Sequence, residues 1–579
     1  MAVAERTVRY PEGVRAALKS IRLRSQHPEH AAAIADEHRV SPLTARVLAA
    51  RGFSCGPALN HFLQPTLKEG LPDPEKLLNL DKACELIART IEAGEGIAIC
   101  CDFDVDGLSG GAQVYHFLQR LGVQCAVFVP DRFEDGYGLN EKMIHQIAEL
   151  GFKLVVTIDY GTTNRRELEL ARSLELRTIV VDHHHVSEKP PSDVFINPMQ
   201  PGCGFGDRIL CASGLAWYLL VGLKRRLPKA AAIEPKEYLD LACLGTICDM
   251  VPLIGPNRVL AKRGLELLTR TERPGLVALK NVMSARGPIG CSDVSFGIGP
   301  RLNAAGRMVH GELVIELLTT ADSRKAGQIA QRLNKLNLER QNKETEVKEV
   351  ARRMIEESGE LPWGISVWDR DFHTGVIGIV AQRLVETFYR PCAVMGMDRD
   401  GLYKGSVRGI KGFSVVEALG AVRRHLVKFG GHEGAGGFSL EAEQVEEFAE
   451  AFNAECRKRL KSIETKPFVD ADTIGTLEEI SIPLVEELRR FAPFGMGNPN
   501  PIVLVQNLEV QSIKILKEAH LKATLSDGRR SISGLMWRQT EHPALIPGAR
   551  VNVALKPDTS SWNGSTEIQG HLQAVERVS

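Results

Sequence analysis

Three aspartates at alternate positions follow a short apolar run near residue 100. The run at residues 96–101 leads into Asp102, Asp104 and Asp106. Carboxylates this close together repel one another, so grouping them is costly unless divalent cations neutralise their charge. A calcium loop of this type needs a glutamate at its twelfth position, where this chain has Gln113. A solvated acidic turn is the remaining alternative to a site for other metal ions.

Two later apolar runs also end in residues that bind metals. One leads into Asp159, and the next leads into Asp182, His183 and His184. From residue 80 such runs alternate with helical patterns, which predicts a parallel sheet covered on both faces. Because parallel strands end at the same edge of a sheet, we expect these side chains to converge with the first three aspartates.

Asp249 is a further acidic candidate. It ends an apolar run and is followed shortly by Pro252, which predicts a helix end at this point. The helix dipole disfavours an anion at this end, so a functional role is favoured over a structural one. Carboxylates combined with imidazoles and no thiolate suit manganese or magnesium better than zinc. The sequence therefore predicts a site for hard divalent cations.

The composition limits what else the chain can be. It has 579 residues, too many for one hydrophobic core, so three or more domains are expected. Acidic and basic residues balance at 72 each, so nucleic-acid binding would depend on local basic patches. Twelve scattered cysteines without Cys-x-x-Cys pairs are typical of a reduced intracellular protein. With no signal-like N-terminus and no apolar run long enough to span a bilayer, we expect a cytoplasmic protein without a membrane partner.

Changes of pattern along the chain predict five regions. The first contains helical pieces, one of them at residues 13–24. The stretch 322–357 has high helix propensity and no Pro or Gly after Gly327, which predicts one long connecting helix. Short alternating runs after residue 468 predict a small β-barrel. The expected bounds are a helical segment at 1–79, a parallel α/β domain at 80–321, the connecting helix at 322–360, a smaller α/β domain at 361–462 and the barrel at 463–579.

Several segments carry groups suited to phosphate. Residues 297–307 are too irregular for a helix and bring together Arg301, Asn303 and Arg307. Guanidinium groups at this spacing suit bidentate phosphate contacts. Glycines after His373 open a helix whose first amides suit a phosphate. Glycines around His432 indicate either backbone close to a ligand or a tight turn.

The acidic segments also carry a family resemblance. The segments that begin at Asp102, Asp159, Asp182 and Asp249 resemble the four successive motifs of the DHH phosphoesterase superfamily. Within it, the chain is most similar to the RecJ exonuclease family, from residue 80 to its C-terminus. The resemblance implies an α/β fold with a parallel-sheet DHH domain, joined by the long helix to a smaller α/β DHHA1 domain and followed by an OB-type β-barrel.

The resemblance implies a centre of two divalent metal ions, Mn²⁺ or Mg²⁺. Asp159 would bridge both ions, while Asp104 with Asp102 would complete the shell of one. Which of Asp102 and Asp104 binds which ion stays open. Two ions held in this way activate water and stabilise both oxygens of an in-line displacement at phosphorus. The implied metal ligands are Asp102, Asp104, Asp106, Asp159, His183 and Asp249.

The resemblance also assigns residues to catalysis and substrate binding. Asp182 would orient His183, and His184 would face the scissile phosphate. Tyr137 either stacks on a base or anchors its loop. The residues implied to bind the substrate are Tyr137, Arg301, Asn303, Arg307, His373, Ser406, Arg408, Gly430, Gly431 and His432. The candidates on the barrel are Lys514, Lys517, His520, Lys522 and Trp537.

The implied function is 5′ to 3′ degradation of single-stranded DNA to mononucleotides in recombination and repair. A monomer is expected, with a single-strand-binding protein and a RecQ-type helicase as partners. Two alternatives stay open. A DHH hydrolase of short oligonucleotides would generally lack the barrel, and many such relatives carry a histidine where this chain has Cys100. A catalytically inactive DNA-binding subunit, like the replicative helicase component of this fold, is disfavoured because the acidic and histidine positions are intact.

Overall fold

The computed structural model describes residues 18–132, 136–206, 209–562 and 565–578. The described chain divides into two compact units. The first consists of Phe53–Leu338 together with Leu488–Asn500. The second consists of Glu339–Glu487, the chain from Pro501 onward and the N-terminal residues up to Gly52. Within the described residues, no helix combines the length and the apolar composition needed to cross a bilayer.

The N-terminal region contains a strand where a helix was predicted. Strand β1 (Ser20–Leu23) pairs in parallel with Phe468–Ala471. The prediction of a helix at residues 13–24 is wrong over β1, because hydrogen bonds to a distant strand override local propensity. Residues 13–17 lie outside the described residues. The helices that follow are α1 (Pro28–His38), α2 (Pro42–Ala50), α3 (Pro57–Leu63) and α4 (Leu67–Gly70).

The first unit contains the predicted parallel sheet. Its strand order is β3-β2-β4-β5-β6, and all neighbouring pairs are parallel. The direction of winding reverses between β2 and β4, and sheets of this type place their sites outside the strand ends at that point. The elements, in chain order, are α5 (Leu80–Glu92), β2 (Ile97–Cys101), α6 (Val105–Arg120), β3 (Cys125–Phe128), α7 (Glu141–Glu149), β4 (Leu154–Ile158), α8 (Arg165–Ser173), β5 (Arg177–Val181) and β6 (Val194–Ile196).

Both faces of this sheet are covered by apolar side chains. In β2, Ile97, Ile99 and Cys101 pack into one core cluster, and Ala98 and Cys100 pack into another. All five side chains are fully buried. Successive residues of a strand point to opposite faces, so an unbroken apolar run is what a doubly covered strand requires.

Helices continue the first unit after the sheet. A single π-helical turn at Val294–Ile298 leads directly into a helix, so the prediction of an irregular loop at residues 297–307 is wrong. The glycines there serve close packing, since a Cβ at Gly306 would lie 2.7 Å from the carbonyl oxygen of Phe103. The helices are α9 (Ala212–Arg226), α10 (Leu239–Cys248), α11 (Gly255–Arg270), α12 (Pro274–Val282), α13 (Cys291–Asp293), α14 (Gly299–Met308) and α15 (Glu312–Thr319).

The predicted long helix is present as α16 (Ser323–Glu357) and leads into a second sheet. Its strand order is β10-β11-β9-β8-β7, with β7 and β8 parallel and the other pairs antiparallel. The helix that begins at Val415 ends at Ala421, and the chain returns as an edge strand at Lys428. The elements are β7 (Ile365–Asp369), α17 (Ile377–Phe388), β8 (Cys392–Met397), β9 (Tyr403–Arg408), α18 (Val415–Ala421), β10 (Lys428–Gly431), β11 (Ala435–Leu440) and α19 (Val445–Arg459).

The C-terminal region forms the predicted barrel. Pairing of β14 with β17 closes a ring of five strands in the order β14-β15-β16-β18-β17. Strand β14 has a register irregularity between Val505 and Leu508. The last strand, β18, was not predicted. The elements are β12 (Phe468–Ala471), β13 (Thr473–Ile474), α20 (Ile482–Arg489), β14 (Val503–Leu516), β15 (His520–Ser526), β16 (Ser531–Met536), β17 (Arg550–Trp562) and β18 (Ser565–Arg577).

A buried aspartate joins the N-terminal residues to the barrel region. The side chain of Asp472, between β12 and β13, is 2% exposed. Its two oxygens accept hydrogen bonds from Nε and Nη2 of Arg51, both at 3.0 Å. Arg24 forms a second ion pair with it at 3.2 Å, and the amide of Ile502 donates to it at 2.8 Å. The charge is therefore neutralised and hydrogen bonded, as burial of a carboxylate requires.

Replacing Asp472 with alanine should destabilise the second unit. Arg51, whose side chain is 8% exposed, would lose both of its bonds to a carboxylate inside the protein. We expect the free energy of unfolding to fall by about 3 kcal/mol, measured by denaturant unfolding of the full chain. The control is Glu464→Ala, which breaks an ion pair with Arg22 in which the side chains are 50% and 46% exposed. That variant should lose less than about 1 kcal/mol, and equal losses in both variants would contradict the assignment.

Candidate metal centre

Three aspartates lie side by side where neighbouring strands end. Asp102, Asp159 and Asp182 directly follow β2, β4 and β5. The ladder continues into this row, since the amide of Asp102 donates to the carbonyl of Ile158 at 3.2 Å and that of Asp159 donates to Val181 at 3.0 Å. The sheet therefore fixes the backbones of the first two against each other, at the point where the winding reverses.

The loop after β2 is held from two sides. Oδ1 of Asp104 accepts the amides of Asp106 and Gly107 at 2.8 and 3.2 Å and thereby caps α6. A Cβ at Gly107 would lie 2.6 Å from the backbone nitrogen of Asp102, so only glycine permits this approach. From α14, Oδ1 of Asn303 accepts the amide of Val105 at 3.1 Å. The positions of the loop carboxylates are therefore set before any ligand binds.

The Asp106 carboxylate sits at the start of α9. Its oxygens accept the amides of Ala212 at 2.7 Å and Ser213 at 2.9 Å, and its residue is 1% exposed. The positive end of the helix dipole favours an anion at this place. A Cβ at Gly245 would lie 2.3 Å from the Asp106 Oδ1 atom, so glycine also lets α10 approach the carboxylate closely.

The His183 ring joins the aspartates into one cluster. Its Nε2 atom lies 3.1 Å from Oδ1 of Asp159 and 3.7 Å from one oxygen each of Asp106 and Asp249. Asp249 follows α10 directly, as predicted. Three overlapping sets of three ligand atoms in this cluster lie within 4.8 Å of one another: Asp102 with Asp104 and Asp159, Asp106 with His183 and Asp249, and Asp159 with His183 and His184. The first two are the ligand sets that the family resemblance implies.

The electrostatics of the cluster fit divalent cations. Burial, followed by repulsion from neighbouring carboxylates, raises the pKa of Asp102, Asp104 and Asp159 above the usual range. The same two causes raise the pKa of Asp249 to about 9. Oδ1 of Asp102 is buried without a hydrogen-bond partner among the described residues. Oxygen ligands with one imidazole, packed at this density, match a pair of Mn²⁺ or Mg²⁺ ions.

Asp159 itself has a strained backbone. Its φ of +72° lies in the left-handed region, which non-glycine residues seldom adopt. The Tyr137 hydroxyl donates to its carbonyl at 2.9 Å and helps to hold this conformation. The Tyr137 ring also makes an edge-to-face contact with the ring of His184, with centroids 6.2 Å apart. The hydroxyl of Tyr137 thus anchors its loop. The residue is also 53% exposed, which leaves its ring accessible, so stacking on a base stays a prediction.

Asp182 contacts a different histidine ring from the one expected. Its Oδ1 atom is hydrogen bonded to Nδ1 of His184 at 2.7 Å, whereas its bond to His183 involves only the backbone amide, at 2.8 Å. Burial alone would raise the pKa of Asp182, but the hydrogen bond and charge of His184, with a bond from the Thr162 amide, hold it well below its usual range. The Asp182 side chain is therefore placed to orient the His184 ring, while Nε2 of His183 lies 3.1 Å from Asp159, and the expected role of Asp182 toward His183 stays a prediction.

The predicted phosphate-binding residues on α14 have contacts of their own. Asn303 supports the loop after β2, as described above. Nε of Arg301 donates to the side chain of Asn334 at 2.9 Å, and Nη1 donates to the carbonyl of Gly297 at 2.8 Å. Arg307 lies in the last turn of the same helix and is partly exposed. The structure thus brings Asn303 to the metal loop, while the substrate contacts of all three stay predictions.

The remaining predicted substrate residues belong to the second unit. Nη1 of Arg408 donates to Oγ of Ser406 at 2.9 Å, and both side chains lie against Gly378 in the first turn of α17. Gly430 is aligned with Ser406 across β11, because both residues pair with Gly437. Gly431 precedes the hairpin in which the His432 amide donates to Ala435 at 2.8 Å, and Nδ1 of His373 accepts the Gly375 amide at 3.1 Å. The second sheet therefore groups Ser406, Arg408 and the start of α17.

Some residues that position the site were not predicted. The amides of Ala212 and Ser213 were missed, although the start of an apolar helix at this point was visible in the sequence. Asn197 was missed as well, and its Nδ2 atom donates to the carbonyl of His184 at 2.9 Å. Arg132, whose charge acts on Asp102 and Asp104, was seen only as part of a loop. None of these contacts follows from local spacing, because each partner is distant in sequence.

Three family models match the chain in the order that the fold shows. The N-terminal domain of the DHH family matches residues 96–246, the DHHA1 domain matches residues 360–458, and the RecJ OB domain matches residues 471–574. These matches agree with the parallel sheet, the second sheet and the barrel.

Individual relatives cover most of the chain. It is 34% identical to the single-stranded-DNA-specific exonuclease RecJ of Bacillus subtilis, over 93% of this chain and 68% of the relative. It is 30% identical to RecJ of Escherichia coli, over 95% and 98% respectively. The crystal structure of Thermus thermophilus RecJ in complex with Mn²⁺ superposes with a TM-score of 0.82 at 28% identity, over 98% of this chain and 80% of that one. The complex of the same protein with Mg²⁺ gives 0.76 at 26% identity, over 98% and 79%. The chain therefore belongs to the RecJ family of single-stranded-DNA-specific exonucleases.

Proposed function

We propose that this protein is a two-metal exonuclease that degrades single-stranded DNA from its 5′ end to mononucleotides, in recombination and DNA repair. The observation that carries the proposal is the pair of adjoining ligand sets at the reversal point of the first sheet. The names of the relatives supply the substrate class. The proposed domain bounds are 80–321, 361–462 and 463–579, with the connecting helix at 322–360 and an N-terminal segment at 1–79.

The chain's own residues would divide the work as follows. Asp102, Asp104 and Asp159 would hold one ion, and Asp106, His183 and Asp249 the other, with Asp159 shared between them. When bound, such a pair of ions lowers the pKa of water and stabilises charge on the attacking and leaving oxygens. Because Nδ1 of His184 is directed toward Asp182, the opposite edge of its ring is the one that would meet a phosphate oxygen.

Groups outside the metal cluster would bind the strand. Ser406 and Arg408 of β9 lie against the start of α17, so that a guanidinium, a hydroxyl and helix amides come together, and these groups suit a phosphate. His373, Gly430, Gly431 and His432 would complete this grip, and Tyr137, Arg301, Asn303 and Arg307 would contact the substrate beside the metal ions. On the barrel, Trp537 is 52% exposed and its Nε1 atom donates to His571 at 2.8 Å, so its indole is held as a platform for a base.

The family resemblance also supports proposals for the oligomeric state, the cellular location and the protein partners. We propose a monomer that acts in the cytoplasm, where its DNA substrate is found. A single-strand-binding protein and a RecQ-type helicase would supply and expose the strand. Binding of each partner to the purified chain is the direct test of these assignments.

A nuclease assay with labelled ends tests the proposed activity. With Mn²⁺ present, a 5′-labelled single strand should release labelled mononucleotide from the first turnover, whereas a 3′-labelled strand should release its label only at the end. Blunt duplexes should resist. Turnover of dinucleotides alone would instead favour a hydrolase of short oligonucleotides.

Replacing Asp159 with asparagine should remove the shared ligand while keeping the fold. Asparagine tolerates the left-handed backbone at φ +72° better than alanine does, so strain is not added. We expect hydrolysis to fall by about a thousandfold, equivalent to about 4 kcal/mol of barrier. Asp371→Asn is the control, since this residue is exposed in the second unit. Parent-like hydrolysis by Asp159→Asn would remove Asp159 from the metal centre.

Replacing Asp182 with asparagine should lower turnover without releasing the ions. The substitution weakens the bond that fixes the His184 ring and leaves the six proposed ligands intact. A loss of about 10- to 100-fold in kcat is expected, with two Mn²⁺ ions still bound. Loss of an ion in this variant would show that Asp182 acts on the metal centre rather than on His184.

Binding of Mn²⁺ should strengthen as the pH rises from 6 to 8.5. In the ion-free protein the pKa of Asp249 is raised to about 9, above its value in the unfolded chain, so folding retains a proton there. Stability of the ion-free protein therefore falls as the pH rises toward 9, and Mn²⁺ must displace that proton to bind. The rise in Tm that Mn²⁺ produces should be larger at pH 8.5 than at pH 6, by differential scanning calorimetry. An equal rise at both pH values would contradict this assignment.

A further inference from the structure

A short segment before the barrel packs with the metal-binding unit. Leu488–Asn500 belongs to the first unit, although the chain on both sides of it belongs to the second. Within it, Phe491 is 1% exposed, and its ring lies 5.7 Å from that of Phe62. The segment is therefore built into the first unit and is not a free linker.

A buried arginine anchors this segment. Arg258, in the first turn of α11, is 3% exposed. Its guanidinium donates to the carbonyls of Phe491 at 2.8 Å and Ala492 at 3.0 Å, and to that of Phe62 at 2.9 and 3.1 Å. It also lies over the Phe62 ring, 4.1 Å from the centroid. Burying a guanidinium costs free energy unless its N–H groups are hydrogen bonded. Here backbone carbonyls of the segment accept several of these hydrogen bonds.

The segment then forms a locked turn. Gly495 and Asn498 exchange backbone hydrogen bonds at 2.9 and 3.2 Å. The Nδ2 atom of Asn498, a residue that is 3% exposed, donates to the carbonyls of Phe491 at 2.9 Å and Pro493 at 2.8 Å. The turn is thus fixed internally, and its outer edge is presented in one conformation.

That edge contacts the loop that follows Asp249. The amide of Leu253 donates to the carbonyl of Met496 at 2.7 Å. A Cβ at Gly495 would lie 2.7 Å from the side chain of Leu253, and one at Gly497 would lie 3.0 Å from Cβ of Pro252. Gly497 also has a φ of +72°. Two glycines therefore allow the turn to lie directly against the loop.

The Asp249 side chain depends on its loop more than the neighbouring ligands do. The carboxylates of Asp104 and Asp106 accept backbone amides, which hold them in place. Among the described residues, none donates a hydrogen bond to the Asp249 carboxylate, which is 26% exposed and 3.7 Å from Nε2 of His183. Its position is therefore set by the backbone of α10 and of the loop that the turn supports.

We propose that the segment 491–498 is a positioning element for Asp249, and that it sets the affinity of the ion site formed by Asp106, His183 and Asp249. The inference rests on the proposed function only in requiring that these three residues bind an ion. The segment contains none of the proposed metal ligands or substrate-binding residues, so it would act through the Pro252–Leu253 backbone. It is also distant from Asp249 in sequence, which is why no motif around Asp249 reveals it.

The test is a titration of the full chain with Mn²⁺, followed by the electron paramagnetic resonance signal of the free ion. Gly497→Ala should lower the affinity for one of the two ions by about 10- to 100-fold and leave the affinity for the other unchanged. Gly548→Ala is the matched control, because Gly548 has a similar φ of +84° but no atom within 4 Å of an added Cβ. It carries the same backbone strain and should bind both ions like the parent.

Asn498→Ala provides a second variant that adds no atoms. It removes the side-chain hydrogen bonds that hold the turn and should lower the affinity for the same ion. This variant therefore tests the role of the turn even where Gly497→Ala does not fold. Parent-like binding of both ions by a folded variant would overturn the proposal, as would failure of both variants to fold, since the segment would then be core structure. A parent chain that binds no Mn²⁺ would instead overturn the proposed function.

Discussion

Repulsion between carboxylates at one edge of a sheet governs this structure. The pKa values of Asp102, Asp104, Asp159 and Asp249 are all raised, first by burial and then by neighbouring carboxylates, among which Asp106 acts on three of the four. Protonation or cation binding reduces the repulsion within such a cluster, and a divalent ion reduces it more than a proton does at neutral pH. The centre is therefore unfavourable in the absence of metal and becomes favourable once ions are bound. We infer that bound divalent cations offset the cost of burying these carboxylates together.

The scaffold holds these anions mainly with neutral backbone groups. The amides of α6 and α9 bind Asp104 and Asp106, and the sheet ladder extends to Asp102 and Asp159. Backbone amides and helix dipoles hold a carboxylate in place without cancelling its negative charge, so that charge remains available to bind a cation. Lysine or arginine partners in the same places would compete with the metal. Glycines 107 and 245 complete the arrangement, since a Cβ at either would collide with the groups around the site.

Much of this centre was visible in the sequence, because strand ends are local features. Apolar runs that terminate in Asp102, Asp159 and Asp182 indicated parallel strands, and the geometry of parallel sheets placed them together. The allocation of ligands to two ions came from family resemblance rather than from spacing. The contacts that hold the ligands were not predictable, since Asp106 meets an amide 106 residues away and Asp182 turned out to bind His184. The same reason explains the strand at Ser20–Leu23, whose partner lies near the other end of the chain. The helix at Gly299–Met308 was misjudged because its glycines looked like turn residues but serve close packing.

We infer that two cations share this cluster, with Asp159 between them. Anomalous diffraction from crystals grown with Mn²⁺, recorded at the manganese absorption edge, measures it most directly. We expect two anomalous peaks about 3.5 to 4 Å apart, one bounded by Asp102, Asp104 and Asp159 and the other by Asp106, His183 and Asp249. A single peak, or ions bound away from these side chains, would contradict it.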